Sequence, residues 1–491
     1  MDTLIIELIN KQDKYPQLTE LVEVLIKLKA PNSDAEMRTA INLMLSVDIS
    51  GSMAPVMELL RKTLTFIIGQ LNDDDTLGIV TFSFHMDVLI PMTLMTGANK
   101  ALATKAVSTL NANGGTNLSG GLFKAITEMM THLVKPDGHA VVSSIFLLTD
   151  GEATHGIVDL PDIVKVLQDR SFDENMIEYD TARRVKPRVA QTSVPKYEGE
   201  LPIIHTFGFG PNYNPELLKG IAEAGNGTHV FIPDESKLAE SFGNALGGLT
   251  HTTAKDIVCT LTASPAFQIE RVRGGHANGF AYTFKEMQSG ETRDVIATLR
   301  VTDHGRFLLS QPIDANGFSL PLLTAKVVYH NMLHGNAVDE VSATCSVKFV
   351  SAENMHLHAA IISDEFVLQS TRIDVAEALQ EALQLAASDN AAARARLYEC
   401  TLQLQRTNSD SVRATSMGAD LEQVMAALDN DTNFATKTMS SLSCEHFNQR
   451  SSAMGRTYST QAQTVMAAAA QTDMERLSSS SSGYDSSNGN I

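Results

Sequence analysis

From Ile41 to about Leu249 the chain alternates short apolar runs with helical stripes. INLMLSVD is a nearly continuous apolar run ending on a carboxylate, the pattern of a parallel strand buried on both faces. Beyond the turn DISGSM, Val56, Leu60, Leu64, Ile67, Ile68 and Leu71 recur at helical spacing. TLGIVTFS reads as the next buried strand, followed by helical stretches near 99–110 and 119–133. SSIFLLTD, a helix near 160–169, IIHTFGFG, a helix near 214–224, THVFI and a helix near 235–249 complete the series. This alternation predicts a doubly wound, Rossmann-like α/β domain over 37–250, with a parallel sheet covered on both faces. The polar stretch 170–200 contains two prolines and swings from acidic to basic, which predicts a surface insertion. Its basic part, 183–188, is suited to attracting an acidic partner.

The texture changes at either end of this domain. Between 251 and 352, DIVCTLTA, GFAYTF, DVIATLRV and KVVYH are separated by Gly, Asn and Asp turns, which predicts an antiparallel β-sandwich. In the N-terminal segment 1–36, LVEVLIKLKAP reads as a strand that joins this sandwich, so the α/β domain is inserted between two of its pieces. Residues 353–475 read as a helical C-terminal region. One stripe is Ala376, Leu379, Leu383 and Ala386, a second Leu397, Cys400 and Leu404, and a third Leu421, Val424, Met425 and Leu428. The Ser-rich tail 476–491 is expected to be disordered.

Composition restricts the function. The 491 residues carry 57 acidic and 38 basic side chains, a formal net charge of -19, so nucleic acid and anionic lipid surfaces are not expected partners. The four cysteines, Cys259, Cys345, Cys400 and Cys444, form no CxxC pair, which argues for free thiols in place of a zinc finger or a disulfide framework. The start, MDTLIIELINKQDK, is interrupted by Glu7 and lacks a basic lead, and no run approaches the roughly 20 apolar residues of a membrane helix. A cytoplasmic protein without membrane insertion is the expectation.

Three separated segments carry the candidate chemistry. Asp48-Ile49-Ser50-Gly51-Ser52 ends the first buried strand, Gly114-Gly115-Thr116-Asn117 opens a helix, and Thr149-Asp150-Gly151 ends SSIFLLTD. In an open α/β sheet all three fall at the carboxyl edge, where ligands bind. Asp48, Ser50, Ser52, Thr116 and Asp150 offer only oxygen, which selects a hard cation: Mg²⁺, with Mn²⁺ or Ca²⁺ as alternatives. Two carboxylates roughly neutralise such an ion and the hydroxyls donate weakly, leaving it electrophilic. There is no P-loop GKS or GKT, no HExxH and no GxSxG around Ser50, and His155 reads as a surface-loop histidine. No enzyme activity is expected.

DISGSM, GGTNLSGGL and LLTDGEATHG together resemble the metal-ion-dependent adhesion site of von Willebrand factor A domains over about 37–250. The resemblance implies that Ser50, Ser52 and Thr116 ligate the metal through hydroxyls, that Asp48 and Asp150 act directly or through water, and that a partner's Asp or Glu fills the open position. VLIKLKAPNSDAEMRTAINLMLSVDISGSM, IIHTFGFGPNYNPELLKGIAEAGNGTHVFIPD and SSLSCEHFNQRSSAMGRTYSTQAQTVM resemble plant wavy-growth ubiquitin ligases, the last of them an intein-like region that accompanies A domains. No paired-cysteine RING is present, so ligase activity does not carry over. The expected function is an intracellular protein-binding adaptor that docks partner carboxylates through a divalent cation. The alternative is a component or recruiter in ubiquitin transfer without ligase activity of its own.

Overall fold

The computed structural model describes residues 2–33, 38–131, 141–172, 200–210, 212–234, 237–275, 277–278, 280–312, 316–351, 355, 359–406, 411–450 and 458–481. Most of the 170–200 stretch, including 183–188, therefore lies outside the described residues. The chain divides into two compact units, one of residues 1–37, 252–435 and 442–450, the other of residues 38–251, 436–441 and 451–491.

The second unit is built on a six-stranded sheet. Its spatial order is Met86–Leu94, Thr76–Phe82, Ala40–Asp48, Val141–Thr149, Ile203–Phe209 and Asn226–Ile232. Every residue of Thr76–Phe82 and Ile203–Phe209 is buried, as is all of Ala40–Asp48 except Ala40, so both sheet faces are covered. One expectation is corrected. The sheet is not wholly parallel, because Met86–Leu94 runs antiparallel along one edge. A three-residue hairpin returns the chain directly beside Thr76–Phe82, too short for the crossover that a parallel neighbour requires. Pro91 is exposed in this strand, and an edge tolerates its missing donor.

From Ala40–Asp48 the chain proceeds to one side of the sheet, and from Val141–Thr149 to the other. These two central strands are adjacent and in parallel register, Val47 opposite Leu148, so the loops leaving them diverge and open a crevice at their carboxyl ends. Helix Leu118–Thr131 packs against the sheet, and Gly121 lets it approach closely, since a Cβ there would clash with the Phe82 ring. Helix Leu238–Thr250 carries helix Gln461–Ser481 along its length. The latter runs six residues into the Ser-rich tail, where Arg476 and Leu477 are good helix formers, and 482–491 lie outside the described residues. By contrast, Gly69 is exposed in helix Met57–Gln70 with open space around its Cβ position. Gly69→Ala is expected to stabilise the protein by about 0.5–1 kcal/mol, read as a higher melting temperature.

The first unit holds two sheets around a common apolar core that includes Val24, Ile26, Leu299, Cys259, Val327 and Phe349. The four-stranded sheet runs Ile5–Asn10, Leu21–Lys29, Thr292–Val301, Phe267–Arg273. The six-stranded sheet runs Ala277–Asn278, Ala281–Gln288, Thr252–Ala263, Phe318–Asn331, Ala337–Val350, Tyr15–Pro16, and its last pairing is parallel. Leu21–Lys29 pairs along its full length with Thr292–Val301. Helices Asp364–Ala386, Asn390–Arg406 and Val412–Asn430 follow, and the three apolar stripes on them are buried. Their starts are marked by side-chain caps: Ser363 accepts from Phe366 N and Ser411 from Ala414 N. Helix Thr432–Asn448 is capped in the same way by Asp431.

Candidate functional site

Asp48 is the last residue of its strand and is fully buried. The turn after it is tied to two neighbours: Ile49 N donates to Phe82 O at 2.9 Å, and Asn113 N donates to Ile49 O at 2.7 Å. Gly51 N then donates to Gly114 O at 3.0 Å, and a side chain at Gly51 would stand 3.4 Å from that oxygen. The Gly114 loop, with Gly114 at φ +78°, is therefore strapped directly to the Ser50–Ser52 turn. On its other side, Thr154 N and His155 N both donate to Thr116 O at 2.9 and 3.1 Å, and Thr116 N donates to Thr154 Oγ1 at 3.0 Å. Asn117 fixes the helix start, its Oδ1 accepting from Gly120 N at 2.9 Å.

This strapping brings the side-chain oxygens together. Ser50 N donates to Asp48 Oδ1 at 2.8 Å, Ser50 Oγ and Ser52 Oγ are 3.0 Å apart, and Ser52 Oγ donates to Asp150 Oδ1 at 2.8 Å. A Cβ on Gly151 would lie 3.3 Å from Ser52 Oγ and 3.4 Å from Thr116 Oγ1, which places the Thr116 hydroxyl beside the same group. All five residues singled out from the sequence thus meet at one edge of the sheet. Thr149 also belongs here and was not among them. Its hydroxyl donates to Asp48 Oδ2 and accepts from Gly151 N at 3.2 Å, orienting the buried carboxylate. Its position directly before Asp150 was visible in LLTDG, but its inward direction was not.

Burial pushes Asp48 up to about 6, although hydrogen bonds from Thr149 and Ser50 pull it back, and the neighbouring Asp150 adds to the rise. Burial likewise raises Asp150, with Ser52 opposing. Two acids in a low-dielectric crevice, with hydroxyls as their side-chain partners, are an unfavourable arrangement until a positive charge joins them. Among the described residues no group of three or more His, Cys, Asp or Glu could hold a metal. The donor set here is instead two carboxylates and three hydroxyls, and that set fits a hard divalent cation. Among the described residues no helix is long and apolar enough to cross a membrane.

Residues 42–245 match the von Willebrand factor type A domain. The chain is 25% identical over 248 residues, half of its length, to the uncharacterized protein YfbK of Escherichia coli strain K12, and spans 37% of that protein. It is 29% identical over 218 residues, 44% of its length, to the uncharacterized protein sll0103 of Synechocystis, of which it spans 43%. Among solved structures, a von Willebrand factor type A protein from Catenulispora acidiphila superposes with a TM-score of 0.62 at 18% identity, covering 86% of this chain and 89% of the other, a likeness of fold. The switch-point crevice, the six-stranded sheet and these matches agree that residues 42–245 are a von Willebrand factor type A domain.

Proposed function

We propose that this chain is a protein-binding adaptor whose A-type domain holds a divalent cation, Mg²⁺ in the first instance, and takes an Asp or Glu carboxylate of a partner at it. The supporting observation is the convergence of Asp48, Ser50, Ser52, Thr116 and Asp150 from three loops onto one group at the carboxyl edge of the sheet. Asp48 and Asp150 would supply the charge, and the three hydroxyls would complete the oxygen set. When bound, the cation supplies an electrophile for one further anionic oxygen. Thr149 orients Asp48, and the Gly51–Gly114 backbone bond keeps two of the loops in register.

Pull-downs with the purified chain in Mg²⁺ and in EDTA test the reading. Partners are expected only in Mg²⁺, and Asp48→Ala is expected to abolish their capture. Equal recovery in all three conditions would sink the metal-bridged mechanism. Thr149→Val, which removes the hydroxyl that donates to Asp48 and accepts from Gly151 N, is expected to weaken Mg²⁺ affinity about 10–100-fold in calorimetric titration.

A further inference from the structure

Phe84 sits at the rim of this site. It lies in the hairpin between Thr76–Phe82 and Met86–Leu94, and its side chain is 48% exposed. Its ring lies against the two glycines before Thr116: a Cβ on Gly114 would meet Phe84 Cδ2 at 2.8 Å, and one on Gly115 would meet Cε1 at 2.6 Å. His155 packs against the same ring, edge to face, with ring centroids 4.6 Å apart and planes at 84°. The imidazole is itself fixed, because its Nδ1 is 2.8 Å from Thr154 Oγ1 and its backbone N donates to Thr116 O. The hairpin is pinned below, where Ser83 O accepts from Asn117 N at 2.9 Å.

An exposed aromatic is ordinary on its own. One held in a fixed orientation against Gly115, the residue before Thr116 of the candidate site, has already lost the rotamer freedom that binding would otherwise cost. A rigid aromatic beside a charged anchor is the arrangement of an interface hot spot. Consecutive Cα atoms are about 3.8 Å apart, so a side chain one or two positions from a partner's acid reaches this ring.

We infer that Phe84 is a specificity-determining residue: the partner segment carries a large apolar side chain within two positions of the acid that reaches the site, and packs it on the Phe84 ring. This rests on the cation reading above and narrows the partner to an acidic–apolar peptide motif. Gly114 and Gly115 belong to the same device, since any side chain there would push the ring off the loop.

An array of immobilised peptides tests it. Each peptide has one central Asp, with the flanking positions varied through all residue types, and is incubated with the full chain in Mg²⁺ or EDTA. Capture in Mg²⁺ is expected to be strongest where Phe, Tyr, Leu or Met stands within two positions of Asp. In Phe84→Ala, shown to be folded by its circular-dichroism melt, the ratio of apolar-flanked to Gly-flanked capture is expected to fall about tenfold, and Phe84→Leu is expected to retain part of it. Mg²⁺-dependent capture indifferent to the flanking residues, or a preference that survives in Phe84→Ala, would overturn the inference. So would calorimetric Mg²⁺ binding with no Mg²⁺-dependent capture of any peptide, which leaves the cation site standing. Absence of both Mg²⁺ heat and Mg²⁺-dependent capture overturns the cation reading and the inference together.

Discussion

Arg450→Met is expected to destabilise the two-sheet unit by about 3–5 kcal/mol, a large share of the 5–15 kcal/mol that holds a domain folded. Arg450 follows helix Thr432–Asn448 and is buried, and it donates from Nε to Glu291 Oε1 at 3.0 Å and from Nη1 to Glu286 Oε1 at 3.0 Å. Both carboxylates are buried with it. Burial alone would raise both acids. It prevails at Glu286, whereas at Glu291 the guanidinium groups of Arg293 and Arg450 outweigh it and hold the acid down. Removing Arg450 takes from Glu286 the guanidinium 3.0 Å away and leaves Glu291 with Arg293 at 2.7 Å. The sign of the pH dependence follows. Glu291 in the parent has a lowered pKa, so its stabilising contribution is present above the usual Glu value and is lost as pH falls through its folded pKa. In the variant both acids move up, and protonation as pH falls relieves the buried charge. The stability gap between parent and variant, measured by urea denaturation, is therefore expected to narrow from pH 7 toward pH 5. A gap that widens on acidification, or one below about 1 kcal/mol at pH 7, would contradict the ion-pair account. Adding Glu286→Gln to Arg450→Met is expected to restore part of the loss.

Gly243→Leu is expected to cost about 3 kcal/mol in the α/β unit, through overpacking against atoms that cannot yield. A Cβ on Gly243 would lie 2.6 Å from Ala467 Cα and 2.9 Å from Ala467 N and Met466 O. One helical turn on, a Cβ on Gly247 would lie 3.0 Å from Ala462 O and Gln463 Cα. These are backbone atoms of helix Gln461–Ser481, so a side chain can be accommodated only by moving the helices apart. That separation would also expose the buried Gln463, Ala467 and Ala470. A lowered melting temperature together with faster proteolysis within 461–481 checks the prediction. Gly69→Ala, whose Cβ has free space, is the control of opposite sign.

The hydrophobic pattern reveals elements whose burial is uniform or strictly periodic. Ala40–Asp48, Thr76–Phe82 and Val141–Thr149 stand out because strands covered on both faces carry near-continuous apolar runs. Ile5–Asn10 and Met86–Leu94 do not stand out, because edge strands tolerate polar and proline residues. The candidate site was legible to the same degree. Asp48, Ser50, Ser52, Thr116 and Asp150 announce themselves as oxygen donors at predicted strand ends, where the sheet topology needs no long-range information beyond its order. The Thr149 hydroxyl and the Phe84 ring gave no such signal, because their roles depend on which atoms the neighbouring loops place opposite them.

The sequence by itself determined the α/β character, the carboxyl-edge position of the candidate oxygen-bearing side chains and the helical stripes of the C-terminal part, since each follows from local spacing. Only the tertiary structure decided the antiparallel edge, the docking of Gln461–Ser481 on Leu238–Thr250 and the burial of Arg450 with Glu286 and Glu291. In the sequence, the residues between GFAYTF and DVIATLRV read only as a turn separating two strands. It becomes a buried ion-pair site because a guanidinium about 160 residues away along the chain folds back onto it, and local periodicity carries no information about contacts at that separation.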